Sequence, residues 1–79
     1  MQTIFVQIKT DLGKAYEVAD LVAETEGVSE VYSISGQYDL MLKCHLDDGV
    51  DLGHFVTHAI QTIPGVKDTF TQIAFKAFV

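Results

Sequence analysis

The stretch Ile34-Ser35-Gly36-Gln37-Tyr38-Asp39-Leu40 joins two strand patterns and predicts a β-hairpin. The run before it, residues 28–35, is rich in β-branched side chains, whereas the run after it, residues 38–46, alternates apolar and polar positions. Gly36 suits the turn because glycine adopts positive φ without a Cβ penalty. Asp39 is expected to lie on the polar face of the second strand. The apolar face is expected to carry Tyr38, Leu40, Leu42, Cys44 and Leu46.

The flanking segments complete an order of strand, helix, strand, strand, helix, strand. Periodicity predicts strands over residues 3–9 and 66–78 and helices over residues 14–26 and 51–63. Asp51 is the expected N-cap of the second helix. Gly27 and Gly65 suit the left-handed position that ends a helix. Two such halves predict a ferredoxin-like α+β fold of the dimeric α+β barrel type, with a four-stranded antiparallel sheet and both helices on one face.

Composition limits the possible partners. The 79 residues predict a single domain over 1–79, and a net charge of −6 without any arginine disfavours direct nucleic-acid binding. Cys44 is the only cysteine, so neither an internal disulfide nor a cysteine-based zinc site is expected. No signal peptide or membrane span is visible, which predicts a cytoplasmic protein.

One face of the predicted sheet has no helix to cover it. We expect Phe5, Met41, His45 and Phe75 to contact a second subunit there, by sheet-to-sheet or edge-to-edge packing, because exposed apolar sheet surface is typical of an interface. The register of the last strand stays open at this point. Either of two sets could point away from the helices: Phe70, Ala74 and Phe78, or Ile73, Phe75 and Ala77.

Two segments closely resemble one family of domains: VSEVYSISGQYDLMLK, residues 28–43, and IQTIPGVKDTFT, residues 60–71. The family is the RAM domain, the effector-binding and oligomerisation domain of the Lrp/AsnC transcriptional regulators. The resemblance covers essentially the whole chain. It implies dimers that in many members assemble into octamers of four dimers, and it implies a free amino acid bound between dimers with help from the hairpin turn.

The resemblance also implies which residues bind the ligand. Gly36, Tyr38 and Asp39 would line the site, with Gln61 and the last-strand threonines Thr69 and Thr71 as further candidates. Full-length members carry a helix-turn-helix DNA-binding domain ahead of this module, which is not seen here. The expectation is therefore a stand-alone, non-catalytic sensing module that modulates transcription by co-assembly with a full-length regulator. On the residues alone, Gly36 and Asp39 more typically just build the turn, with Asp39 bonding local backbone, and it is the family resemblance that favours a ligand site.

Other features suggest weaker alternatives. His54 and His58 have metal-ligand spacing on the second helix, but they lack a third ligand and more typically form a solvated helix face. A small cofactor-free enzyme with His45 or His58 as general base is the second interpretation. The structurally similar ACT domain also binds amino acids, but the hairpin favours the RAM domain. We expect no catalytic residue, metal or cofactor.

Overall fold

A four-stranded antiparallel sheet with helices on one face forms the chain. In the computed structural model, which describes all 79 residues, the sheet order is β2-β3-β1-β4. The elements are β1 (Gln2–Thr10), α1 (Ala15–Ala23), β2 (Val28–Ser33), β3 (Leu40–Leu46), α2 (Leu52–Phe55) with a π-helical continuation (Val56–Ile60), and β4 (Val66–Ala74). This order and pairing confirm the predicted ferredoxin-like α+β fold.

The core lies between the sheet and the helices. Alternate residues of the two central strands, β1 and β3, point toward the helices and are fully buried or nearly so, as the apolar alternation predicts. Val18, Val22 and Ile60 supply the helical side of this core. The sheet residues of the core are Ile4, Val6, Ile8, Leu40, Leu42, Cys44 and Leu46. The other face of the sheet is covered by no element, and we call it the open face.

Two glycines end the helical segments as predicted. Gly27 has φ +97° and Gly65 has φ +95°, in the region that L side chains rarely adopt. Each also lies against core side chains. A Cβ on Gly27 would stand 2.5 Å from Leu46 Cδ2, and one on Gly65 would stand 2.8 Å from Val18 Cγ2. These joints therefore require glycine for both conformation and space.

The second helix differs from the regular α-helix that its periodicity predicts. Asp51 does cap it, since its Oδ1 accepts the His54 backbone N–H at 3.0 Å. After Phe55, however, the helix widens, and the Gln61 N–H bonds the Val56 carbonyl five residues back at 2.9 Å. The Thr62 hydroxyl donates to the His58 carbonyl at 2.7 Å, and such back-bonding competes with the regular helical pattern.

The ends of the other elements also differ from prediction. β2 stops at Ser33 and β3 starts at Leu40, so residues 34–39 form a six-residue loop rather than a tight turn. β4 ends at Ala74, which leaves Phe75 beyond the strand. The strand pairing settles which face each residue of β4 occupies. Phe70 pairs with Gln7 and points to the open face, whereas Ile73 pairs with Ile4 and points to the helix side.

No helix of the chain has the length and apolar character that crossing a bilayer needs.

Candidate ligand-binding site

The loop between β2 and β3 presents unused hydrogen-bond donors. It is closed by the Ile34 N–H, which donates to the Asp39 carbonyl at 3.0 Å, and by the Asp39 N–H, which donates to the Ile8 carbonyl at 2.9 Å. Gly36 has φ +100°, and a Cβ there would meet only open space. The N–H groups of residues 35–38 donate to no group of the chain. Successive free N–H groups of this kind can hold an anion.

Asp39 fastens this loop to the end of β1. Its Oδ2 accepts the Thr10 backbone N–H at 2.8 Å and the Thr10 hydroxyl at 3.1 Å, and it lies 3.9 Å from Lys9 Nζ. The Thr10 N–H is the main cause that holds the pKa of the Asp39 carboxyl below its ordinary value, so the group is a carboxylate at neutral pH. Its Oδ1 accepts no hydrogen bond from the chain and stays available to a ligand.

Tyr38 does not lie on the apolar face of β3, where strict alternation placed it. Its ring lies 6.1 Å from the ring of Phe70, centroid to centroid, and Phe70 points to the open face. The prediction was wrong because Tyr38 belongs to the loop, whose path is not governed by the strand pleat. Tyr38 and Phe70 border a cavity of about 300 Å³ together with Gln7 and Gln37. We call Gly36, Tyr38 and Asp39 the loop cluster.

The other expected ligand residues lie on the opposite side of the sheet. Thr69 pairs with Ile8 and Thr71 with Val6, so both point toward the helices. Gln61 Nε2 donates to the Thr69 hydroxyl at 2.8 Å. These three residues line a separate groove of about 350 Å³ between β4 and the second helix, and we call them the helix-side cluster. A single ligand could contact both clusters only if they came from two subunits.

Several residues near the loop were not anticipated from the sequence. Thr10 and Lys9 hold Asp39, and Gln7, Gln37 and Phe70 border the cavity beside Tyr38. Their proximity follows from the pairing of β1 with β4 and from the path of the loop. Neither leaves a signal in the periodicity of one sequence, although Phe70 was named as one of two possibilities for the open face.

The expected interface residues lie on or beside the open face. Phe5, Met41 and His45 belong to the uncovered side of β1 and β3, and each is only partly buried. Phe75 lies just past β4 and is 97% exposed. Phe5, His45 and Phe75 together border a groove of about 470 Å³. The same face carries a polar group in which Glu30 accepts the Tyr32 hydroxyl and lies 3.5 Å from Lys43 Nζ.

The histidines and the cysteine each have a simple environment. His54 and His58 stack with their centroids 3.8 Å apart, and His58 Nδ1 lies 3.1 Å from the His54 carbonyl oxygen. No group of three or more metal-ligating side chains occurs in the chain. His45 Nδ1 is 3.0 Å from the Thr3 hydroxyl. Burial raises the pKa of the Cys44 thiol to about 11, which makes it a poor nucleophile at neutral pH.

Comparison with known protein families shows which family the chain belongs to. The profile described as "Lrp/AsnC ligand binding domain" matches residues 3–79. The chain belongs to this family. Membership confirms the resemblance to the RAM domain seen in the sequence and identifies the chain as an effector-binding module of the kind found in regulators.

Individual proteins are similar to this chain over at least nine-tenths of its length. The HTH-type transcriptional regulator FL11 of Pyrococcus abyssi is 38% identical over 72 residues, which is 91% of this chain and 47% of that regulator. The crystal structure of TTHA0845 from Thermus thermophilus is 37% identical with a TM-score of 0.91, and the match covers 100% of this chain and 99% of that one. The chain thus spans about half the length of the curated regulators it matches.

Two further similarities are more limited. A Neisseria meningitidis regulator, NMB0573, solved as a complex with L-Met, shares the fold with a TM-score of 0.86 at 21% identity, over 99% of this chain and 52% of that one. A segment of 51 residues, 65% of this chain, is 39% identical to part of a homocitrate synthase from Sulfolobus acidocaldarius. That part is 11% of the enzyme, whereas the relatives matched over nine-tenths of this chain are named as regulators.

Proposed function

We propose that residues 1–79 form one non-catalytic domain that senses a free amino acid and forms oligomers. The observation that carries this proposal is the juxtaposition, in the loop cluster, of free backbone N–H groups with a carboxylate whose Oδ1 is unused. A zwitterionic amino acid needs both, because its carboxylate requires donors and its ammonium requires an acceptor.

The ligand would be held by its backbone groups. Its ammonium would donate to Asp39 Oδ1, and its carboxylate would accept from the N–H groups of residues 35–38. Lys9, whose Nζ lies 3.9 Å from Asp39 Oδ2, would add a positive charge close to the ligand carboxylate. Because Thr10 already holds Oδ2, the acceptor is oriented before the ligand arrives.

A second subunit would complete the site. The loop cluster and the helix-side cluster lie on opposite sides of one sheet, so the amide of Gln61 and the hydroxyl of Thr69 would reach the ligand from a neighbouring chain. The open face, with Phe5, Met41 and His45, would form the homodimer, and dimers would assemble further. Ligand that bridges subunits would favour one assembly over another through its different affinity for the two.

Two points support an amino acid as the effector and a regulator as the partner. The family takes its name from ligand binding in Lrp/AsnC regulators, and NMB0573, a regulator of the same fold, has been solved with L-Met. Co-assembly with a full-length regulator would convey the bound state to transcription. In that arrangement the present chain would make no nucleic-acid contact of its own, consistent with its net charge of −6.

A thermal-shift screen of the twenty free amino acids, with light scattering on the same samples, tests the proposal. Ligand at about a hundred times Kd adds about 2.7 kcal/mol to the free energy of unfolding. Since each kcal/mol moves Tm by roughly 4–8 °C in a small domain, an effector should raise Tm by about 10 °C or more. A flat response to all twenty would contradict amino-acid sensing.

Asp39→Asn is the variant that tests the site. Asparagine can still accept from Thr10 through its oxygen, but an uncharged NH2 then replaces the oxygen offered to the ligand ammonium. We expect the ligand-induced shift in Tm to disappear. Asp20→Asn, an exposed position on α1, removes the same charge away from the loop and should keep the shift. An undiminished shift in Asp39→Asn would place the ligand elsewhere.

A further inference from the structure

The cavity beside the loop cluster has an uncharged lining. Its borders are two aromatic rings, Tyr38 and Phe70, and two carboxamides, Gln7 and Gln37. Phe70 remains 47% exposed, so a large apolar surface at this place is unused within the chain. At about 300 Å³ the cavity has room for a side chain of several carbons.

The cavity lies next to the groups proposed to hold the ligand backbone. Gln7 and Lys9 occupy alternate positions of β1 on the same face, which places them about 7 Å apart. Lys9 is the residue whose ammonium accompanies Asp39, and Tyr38 directly precedes Asp39 in the loop. An amino acid bound to Asp39 and the loop N–H groups would therefore have its side chain next to the cavity that Tyr38, Phe70 and Gln7 border.

The charges around the cavity are already engaged. Lys9 and Asp39, whose charged groups lie 3.9 Å apart, would be occupied by the carboxylate and the ammonium of the ligand backbone, and Asp68, opposite Lys9 on β4, accepts the Thr69 N–H at 2.9 Å. A charged side chain placed against the ring of Phe70 would lose part of its hydration without gaining a counter-ion, which is unfavourable. An apolar side chain would instead cover the exposed ring of Phe70 and gain from removal of that surface from water.

We propose that this cavity selects an effector with an uncharged, predominantly apolar side chain and rejects acidic and basic amino acids. The inference rests on the proposed function, because it assumes that the ligand backbone binds at Asp39. It goes further by assigning the choice of effector to Gln7, Gln37, Tyr38 and Phe70. Gln7 is central to that choice, since it lies on a rigid strand directly opposite Phe70 and borders the cavity.

Isothermal titration with six amino acids tests the inference on the whole chain. The probes are leucine, methionine and phenylalanine against lysine, arginine and glutamate. We expect the tightest of the neutral probes to bind with a Kd at least about tenfold lower than any charged probe. A charged probe that binds as tightly as the neutral ones overturns the selectivity while leaving the proposed function intact. Absence of binding by all twenty amino acids of the screen overturns both.

A charge-introducing pair of variants tests the role of Gln7. Gln7→Glu is nearly isosteric and places an anion in the cavity, so we expect the ratio of neutral to lysine affinity to fall at least about tenfold. Tyr16→Glu adds the same charge on α1, where Tyr16 is 77% exposed and lies outside both the cavity and the open face, and should leave the ratio unchanged. Circular dichroism verifies that both variants fold. Equal ratios in the two variants would overturn the assignment of Gln7.

Discussion

One carboxylate oxygen of Asp39 accepts two hydrogen bonds from a single residue, Thr10, through its backbone N–H at 2.8 Å and its hydroxyl at 3.1 Å. Thr10 ends β1 and is only 5% exposed. The bond thus joins the β2–β3 loop to the end of a central strand and satisfies a donor that water reaches poorly. The residue that we propose to bind the ligand is therefore also part of the fold, and its substitution must separate the two roles.

The two roles separate by the choice of substituent at Asp39. Asp39→Ala leaves the buried Thr10 N–H without a partner, so we expect a loss of about 1–3 kcal/mol in the free energy of unfolding. Asp39→Asn keeps an acceptor and should lose clearly less. Urea denaturation followed by circular dichroism measures both. Equal losses in the two variants would show that the charge of Asp39, and not the bond to Thr10, stabilises the loop.

Lowering the pH should reduce the free energy of unfolding, because it protonates the Asp39 carboxylate. The Thr10 N–H, the main cause, lowers the pKa of this carboxyl below its ordinary value of 3.8 in the folded chain. A carboxyl with a lowered folded pKa stabilises fully above its unfolded pKa, and the contribution disappears as pH falls through the folded pKa. The stability difference between wild type and Asp39→Asn should be constant from about pH 7 to pH 5 and should shrink below about pH 4. A difference that stays constant down to about pH 2 would contradict this assignment.

Two glycine substitutions separate the cost of an unfavourable backbone conformation from the cost of a steric clash. Gly36→Ala meets no atom within 4 Å, so only the positive φ of +100° opposes it, with an expected cost of about 1–3 kcal/mol. Gly27→Ala has a similar φ and also drives a Cβ to 2.5 Å from Leu46 Cδ2 in the core. It should destabilise more than Gly36→Ala, as measured by thermal denaturation. A larger loss of stability in Gly36→Ala than in Gly27→Ala would mean that the Leu46 side chain moves aside at little cost.

The open face should control assembly. Phe5→Glu places a charge at its centre, beside Lys43 and Gln72, and we expect the protein to become monomeric at micromolar concentration in light scattering. Tyr16→Glu serves as the control, because Tyr16 is 77% exposed on α1, on the helical side of the sheet. It should leave the assembly unchanged. A wild-type protein that is already monomeric would exclude the open face as a homodimer interface.

The fold could be predicted from sequence wherever burial follows a local period. The alternation of Leu40, Leu42 and Cys44 placed them in the core correctly, and Asp51 caps the second helix as expected. The candidate site was harder to predict from the sequence. The hairpin pattern singled out Gly36 and Asp39, and the family resemblance favoured a ligand-binding role for them. The sequence showed neither the bond from Thr10 to Asp39 nor the separation of Gln61 and Thr69 onto the other side of the sheet.

The sequence by itself determined the order of the elements, the buried face of each central strand and the glycine joints after the helices. These depend on neighbours a few residues apart, through the periods of strand and helix and the conformational freedom of glycine. Only the tertiary structure decided that Tyr38 leaves the strand alternation and that Phe70 meets it on the open face. Those positions depend on strand register and loop path, which are set by contacts between residues far apart in the chain.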